Sequence, residues 1–318
     1  MMQKILFGAN IPQAGSDYNT MRQVVLECEK RGFDFVWISD HLQDIASPKP
    51  YFEGWTTLSA LAAETNRVRL TTVLMNNLFR NPSLLAKMSA TLDVISKGRL
   101  NLGIGAGWYS EECASYGIPF PKPLERIQQL EESIEILKEM WTRDDVTYAG
   151  KFYTLKGATL NPKPIQKPHP PIWTGIMNGR SRMLRTIAKY ADAWTISSLY
   201  LPRPEELQQM KQTLDECCRA IRRDPNQIQQ GLGVGCIISE DERGVRMKVE
   251  NFKPTSIVVK DYSARQMRLE GTPPQLIEKL RTYTNVGVTC FVMNFPDIAS
   301  IEPIRLFSEK VIPAFTKA

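Results

Sequence analysis

No stretch of the 318-residue chain is apolar for the length a bilayer requires, so a membrane-spanning helix is not expected. No run of five basic residues occurs. The 40 Lys and Arg are scattered among 34 Asp and Glu, which gives a nucleic-acid-binding face no support. The six cysteines (Cys28, Cys113, Cys217, Cys218, Cys236 and Cys290) show neither CxxC spacing nor the density of a disulfide scaffold, and read as reduced, mostly buried thiols. There are two histidines, His41 and His169, and no HExxH, Walker loop, GxSxG or Cys/His ligand set, so neither a protein-bound metal nor a serine nucleophile is expected. Residues 1–7 enter a short strand-like run that Gly8 and Pro12 interrupt, which is no signal-peptide core. The expectation is a soluble, cytoplasmic protein acting on a small molecule.

What is present is an ordinary globular composition, 42% apolar, with a net charge of +6. That mild positive field suits an anionic small molecule such as a phosphorylated cofactor. Short β-rich runs alternate with helical patterns throughout. Strands are predicted near residues 5–9, 33–38, 68–75, 100–104, 172–174, 193–197, 231–238 and 289–295. Helices are predicted near 17–32, 56–66, 82–96, 124–141, 181–190, 204–223 and 273–286, with a closing helix from Pro303. Pro82 stands where helix starts favour proline. Residues 146–155 read as a hairpin turning at Ala149-Gly150, and 239–270 is polar and unassigned. A doubly wound open sheet shares this alternation. The length, the count of eight strands and the polar residues gathered at strand ends favour one (β/α)8 TIM barrel over 1–318, with insertions in the loops at its C-terminal face.

In such a barrel, function collects where strands end. After the second strand comes Ser39-Asp40-His41, where His41 could move a proton and Asp40 could orient it or bind a cofactor ring. The plain alternative is a loop pair that caps the next segment. After the third strand, Asn76 and Asn77 could hydrogen-bond a heterocycle or cap the next helix, and Arg80 could pair with an anion or a nearby carboxylate. After the fourth, Gly103, Gly105 and Gly107 would let the backbone approach a flat ligand, walled by Trp108 and Tyr109, with Glu111 and Glu112 beyond. After the fifth, Gly175 through Asn178, Gly179, Arg180 and Ser181 could cradle a phosphate or form an ordinary strand-to-helix turn. His169, in a proline-rich loop, reads as structural.

Taken together, Ser39-Asp40-His41, Arg80-Asn81-Pro82, Leu85-Ala86-Lys87-Met88, Thr91-Leu92-Asp93, Ser96-Lys97-Gly98-Arg99, Leu102-Gly103-Ile104-Gly105-Ala106-Gly107-Trp108 and Tyr190-Ala191-Asp192-Ala193-Trp194 resemble the luciferase-like superfamily of FMN- and deazaflavin-dependent oxidoreductases. Tyr116-Gly117-Ile118-Pro119-Phe120 and Asn161-Pro162-Lys163-Pro164 are similar to a subgroup described as F420-dependent oxidoreductases. The resemblance implies a ring bound near Asp40, His41, Leu74, Asn76, Ala106, Gly107 and Glu111, and a cofactor phosphate at 175–181. It also implies a non-proline cis peptide near Val73-Leu74 or Leu74-Met75, and a homodimer. The cofactor implied is coenzyme F420, with FMN the alternative. The activity implied is hydride transfer to or from an unidentified organic substrate with His41 handling a proton. An FMN-dependent monooxygenase is the runner-up, and a flavin-binding protein without turnover the third reading. Two departures stand out. Trp108 occupies the place of the glutamate that the sugar-phosphate dehydrogenase branch carries after its glycine pair, which disfavours sugar-phosphate oxidation. The 175–181 loop carries bulkier residues than the subgroup's glycine-rich one.

Overall fold

The computed structural model describes residues 4–45, 48–176, 181–196, 201–252 and 268–316. Its first half lays down β1 (Leu6–Asn10), α1 (Tyr18–Lys30), β2 (Phe35–Ile38), α2 (Gly54–Glu64), β3 (Arg69–Thr72), the two-residue β4 (Met75–Asn76), α3 (Pro82–Ile95) and β5 (Leu100–Gly105). Then come α4 (Ser110–Ser115), α5 (Pro123–Thr142), a hairpin of β6 (Val146–Ala149) and β7 (Thr154–Ala158), β8 (Ile172–Ile176), α6 (Ser181–Tyr190) and β9 (Ala193–Ile196). The chain closes with α7 (Pro204–Ala220), β10 (Gln229–Ile238), α8 (Glu242–Asn251), β11 (Arg268–Gly271), α9 (Pro273–Thr284), β12 (Cys290–Asn294), α10 (Glu302–Lys310) and α11 (Pro313–Thr316).

Parallel pairing runs β1–β2–β3–β5–β8–β9–β10–β12, and β12 returns to β1, so eight strands form a closed ring. These are the eight strands expected from the sequence. The doubly wound alternative fails because an open sheet would leave β1 and β12 unpaired, whereas Leu6 lies opposite Cys290 and Gly8 opposite Val292.

Alternation along each strand divides the apolar residues into two cores. Phe7, Val36, Leu70, Leu102 and Ile104 face the helices and join the large outer cluster. Phe35, Trp173, Ala193, Cys290 and Val292 form a separate cluster from strands on opposite sides of the ring, which is the barrel interior. Its centre is an edge-to-face contact of Phe35 with Trp173, ring centroids 5.6 Å apart. Glycine makes this possible: a Cβ on Gly8 would lie 2.0 Å from the Phe35 ring.

Local chemistry fixes the element ends. Asp17 caps α1 by accepting from the Thr20 amide at 2.7 Å. Asn81 caps α3 by accepting from the Ser83 amide at 3.0 Å, with Pro82 in the first turn as expected. The Ser96-Lys97-Gly98-Arg99 motif proves to be a structural tie. Lys97 and Gly98 take positive φ, and the buried Arg99 donates to Thr65 Oγ1 and to the carbonyls of Ala62, Thr65, Val68 and Ser96, four of them at 2.8 Å and Ser96 at 2.7 Å. It thereby satisfies the end of α2, whose last carbonyls have no helical partner.

The structure departs from expectation in three places. The third strand, expected to run unbroken to Met75, stops after Thr72, and β4 then pairs with Ile104 and Gly105 of β5; the cis Val73–Leu74 peptide between them is at one of the two positions expected for it. The β6–β7 hairpin extends to Ala158, because Gly150–Tyr153 forms a wider turn than Ala149-Gly150 alone. Within the polar 239–270 region, Asp241 caps α8, and β11 adds to the outer edge of β10 at Gly235–Ile238.

Candidate active site

The end of β2 delivers Asp40 and His41 to the barrel mouth in different settings. Asp40 is 4% exposed, and its two oxygens accept from Arg80 at 2.8 and 3.0 Å and from the Asn76 amide at 2.8 Å. Arg80 also donates to Glu53 at 2.6 Å. Burial pushes the Asp40 carboxyl up to about 6, against the opposing pull of the guanidinium and the Asn76 amide. Asp40 therefore ties the end of β2 to β4, with Arg80 as the expected carboxylate partner. It makes no hydrogen bond to His41 among the described residues.

Glu112 takes that place. Its side chain is nearly fully buried, and Oε2 lies 2.9 Å from His41 Nδ1. Oε1 accepts from the Leu42 amide at 2.7 Å and the Gln43 amide at 3.4 Å. Glu111, expected at the cofactor, is exposed and accepts from Ser110 Oγ at 2.9 Å instead. On α4 these two neighbours stand about 100° apart, so one turns inward and the other to solvent. Adjacency alone could not say which. The initial Ser110 of the helix, had it been placed, would have been the signal.

The imidazole stands edge-on to two aromatic rings, Trp108 at 5.8 Å and Tyr51 at 6.5 Å between centroids. Tyr109 leans on Trp108 at 5.2 Å. Tyr51 itself escaped sequence reasoning. Tyr51 OH lies 2.5 Å from Ser39 Oγ, and Gln13, 4% exposed, clamps the neighbourhood. Gln13 Oε1 accepts from the Ser39 amide and hydroxyl at 2.9 Å, and its Nε2 donates to the carbonyls of Ser39 and Phe52 at 3.0 and 2.9 Å. Burial raises the Tyr51 phenol, against the Ser39 bond, so it stays a donor at neutral pH.

The floor of the mouth is bare backbone around one leucine. A Cβ on Gly103, Gly105 or Gly175 would come within 2.7, 3.3 and 2.8 Å of Leu74 side-chain carbons. At Gly107, φ is +80° and a Cβ would meet Asn76 Oδ1 at 2.7 Å. Ala106, expected at the cofactor, is partly buried and packs against the helix-facing core. Asn76 keeps its own oxygen on the Leu78 amide at 3.1 Å, while the buried Asn77 Nδ2 has no partner. Neither asparagine caps α3, since Asn81 does. A flat, glycine-lined surface of this kind fits a planar ring. Asn178, Gly179 and Arg180 lie outside the described residues, as does the side chain of Ser181. His169 sits away from the mouth, Nδ1 at 2.9 Å from the Pro170 carbonyl and its ring 5.8 Å from Trp141.

Among the described residues, no group of three or more His, Cys, Asp or Glu side chains could hold a metal ion, and no helix is long and apolar enough to cross a membrane. A family model described as luciferase-like monooxygenase matches residues 5–256. The chain is 29% identical over 313 residues to an F420-dependent glucose-6-phosphate dehydrogenase of Intrasporangium calvum, covering 91% of this chain and 92% of that one. It is 28% identical over 329 residues to an FMNH(2)-dependent dimethylsulfone monooxygenase of Pseudomonas putida, covering 93% and 87%. The fold is shared with an F420-dependent secondary alcohol dehydrogenase solved with an F420-acetone adduct, at a TM-score of 0.83 and 20% identity over 98% of this chain and 99% of that one.

Proposed function

The chain belongs to the luciferase-like monooxygenase family, and from that premise we propose that it is an F420-dependent oxidoreductase acting on a small organic substrate. The observation that carries the reading is His41, held by a buried carboxylate at the rim of a flat, glycine-floored mouth. Three further relatives, similar over at least nine-tenths of this chain, are also F420-dependent glucose-6-phosphate dehydrogenases.

When bound, F420 supplies a carbon centre that accepts or gives hydride. Leu74, with the Gly105 and Gly175 backbone beneath it, would support the ring. Asp40 and Arg80 hold β2 and β4 in register under that floor. His41 takes the proton from a substrate hydroxyl as its carbon is oxidised, and returns it to a carbonyl oxygen in the reverse direction. Trp108 and Tyr51 wall the imidazole and limit water. Trp108, standing where the resemblance places the glutamate of the sugar-phosphate dehydrogenase branch, disfavours a sugar phosphate as the substrate.

The test is a fluorescence titration with F420 and with FMN, followed by turnover of His41→Ala. F420 should bind, and the variant should keep that affinity while losing roughly 10²–10⁴ in turnover. Tight binding of FMN alone would instead favour the monooxygenase reading, which the similarity to the dimethylsulfone enzyme supports. A homodimer is part of the proposal. Leu84, Val94 and Ile95 are exposed on α3, 54%, 36% and 48% respectively, apolar side chains that a second copy would cover. Light scattering decides it.

A further inference from the structure

Glu112 makes three contacts that no single purpose requires. A carboxylate that only capped the Leu42 and Gln43 amides would have no need of an imidazole, and one that only bound the imidazole would have no need of those amides. Together they orient it completely. The two amides can only donate, so they hold Oε1 and fix the plane of the carboxylate. The remaining oxygen, Oε2, is then presented to His41 Nδ1 from a site that is 1% exposed and closed to water. A carboxylate oxygen can only accept. Nδ1 must therefore carry the hydrogen of the neutral ring, and Nε2 must carry the lone pair. No other hydrogen bond to the His41 ring occurs among the described residues.

We propose that Glu112 is the positioning residue of the site: it fixes His41 as the Nδ1–H tautomer, with Nε2 as the basic atom offered to the substrate. The proposal rests on the reading of His41 as the proton-handling group, and it assigns the carboxylate behind that group. The chain lacks a glutamate after its glycine pair, where Trp108 stands edge-on to the imidazole. The carboxylate that serves His41 arrives from α4 instead. Glu112 touches no reacting atom. It acts through His41 by denying one tautomer, and by stabilising the imidazolium that forms when a substrate proton is taken.

The fixed polarity of the Leu42 amide supplies the test. In Glu112→Gln that amide still demands an acceptor, so the single amide oxygen faces Leu42 and the NH₂ group faces His41. A donor at that position forces the neutral ring to the Nε2–H form, with its lone pair turned away from the substrate. Because the chain has only two histidines, imidazole ¹⁵N spectra of the cofactor-free protein contain two ring systems, and His169→Gln assigns them.

The expected result is an Nδ1–H pattern for His41 in the wild type and an Nε2–H pattern in Glu112→Gln. In the F420-loaded enzyme, the variant should lose roughly 10²–10⁴ in kcat with little change in KM, the size expected when a general base is held in the wrong tautomer. An Nε2–H pattern in the wild type overturns the proposal even if the variant does not fold. So does an Nδ1–H pattern that persists in Glu112→Gln, since a merely structural carboxylate would leave the tautomer alone. The spectra need neither cofactor nor substrate. Failure to bind F420 therefore counts against the proposed function, and a wrong tautomer counts against Glu112.

Discussion

Replacing Arg80 by methionine should destabilise the fold by an amount that grows with pH. The change removes two hydrogen bonds to Asp40 and one to Glu53 while keeping an apolar stem of similar length. Asp40 remains buried, with only the Asn76 amide to stabilise its charge. Its carboxyl, ordinarily near 3.8, already titrates at about 6 in the intact protein because burial outweighs the guanidinium. The folded state thus binds an extra proton between those values, and stability from this group rises as pH falls through about 6. Without Arg80 the folded carboxyl titrates higher still, so the two proteins diverge only above about 6. Below that, the cost is the loss of the Glu53 contact and ordinary hydrogen bonding, about 1 kcal/mol. Above it, the added cost is limited to protonating the acid, about 1.4 kcal/mol per pH unit. It saturates near the 3–5 kcal/mol, roughly, of a broken buried pair. Urea unfolding of both proteins should give a difference of about 1 kcal/mol near about pH 5 and about 3 kcal/mol near about pH 7.5. A difference that is flat with pH, or larger in acid, would refute the reasoning.

Two glycines test the interior and the floor. Gly8→Ala places a methyl 2.0 Å from the Phe35 ring and should cost about 1–3 kcal/mol by overpacking. The double variant with Phe35→Leu should recover most of it in chemical denaturation, and no recovery would place the clash elsewhere. Gly175→Ala puts a methyl 2.8 Å from Leu74 and 3.0 Å from the Thr195 carbonyl. It should weaken F420 binding about tenfold or more, about 1.4 kcal/mol, read by fluorescence titration. Unchanged affinity would remove the Leu74 floor from the cofactor site.

The ring of strands was legible because burial on both faces leaves near-continuous apolar runs such as Phe35–Ile38, and helix-start signals such as Pro82 mark where a crossover begins. His41 and Arg80 were legible because strand ends converge on the mouth. Glu112 was not. Its bond to His41 joins residues 71 apart in sequence, and its inward direction depends on where α4 starts. Asp40 and His41 look like a pair in sequence, yet successive residues of extended chain point apart, so the histidine turned to a different acid. Tyr51 and Gln13 belong to no motif, and their bonds with Ser39 arise only when β1 and β2 lie side by side.

The clamp that Gln13 makes has a consequence for redesign. One amide side chain holds both ends of the stretch from Ser39 to Phe52, and Glu112 anchors Leu42 within it. Whatever is grafted between residues 44 and 50 is therefore delivered to the rim from fixed moorings. New substrate preferences can be sought there by swapping that segment, while the imidazole and the glycine-lined floor stay where they are.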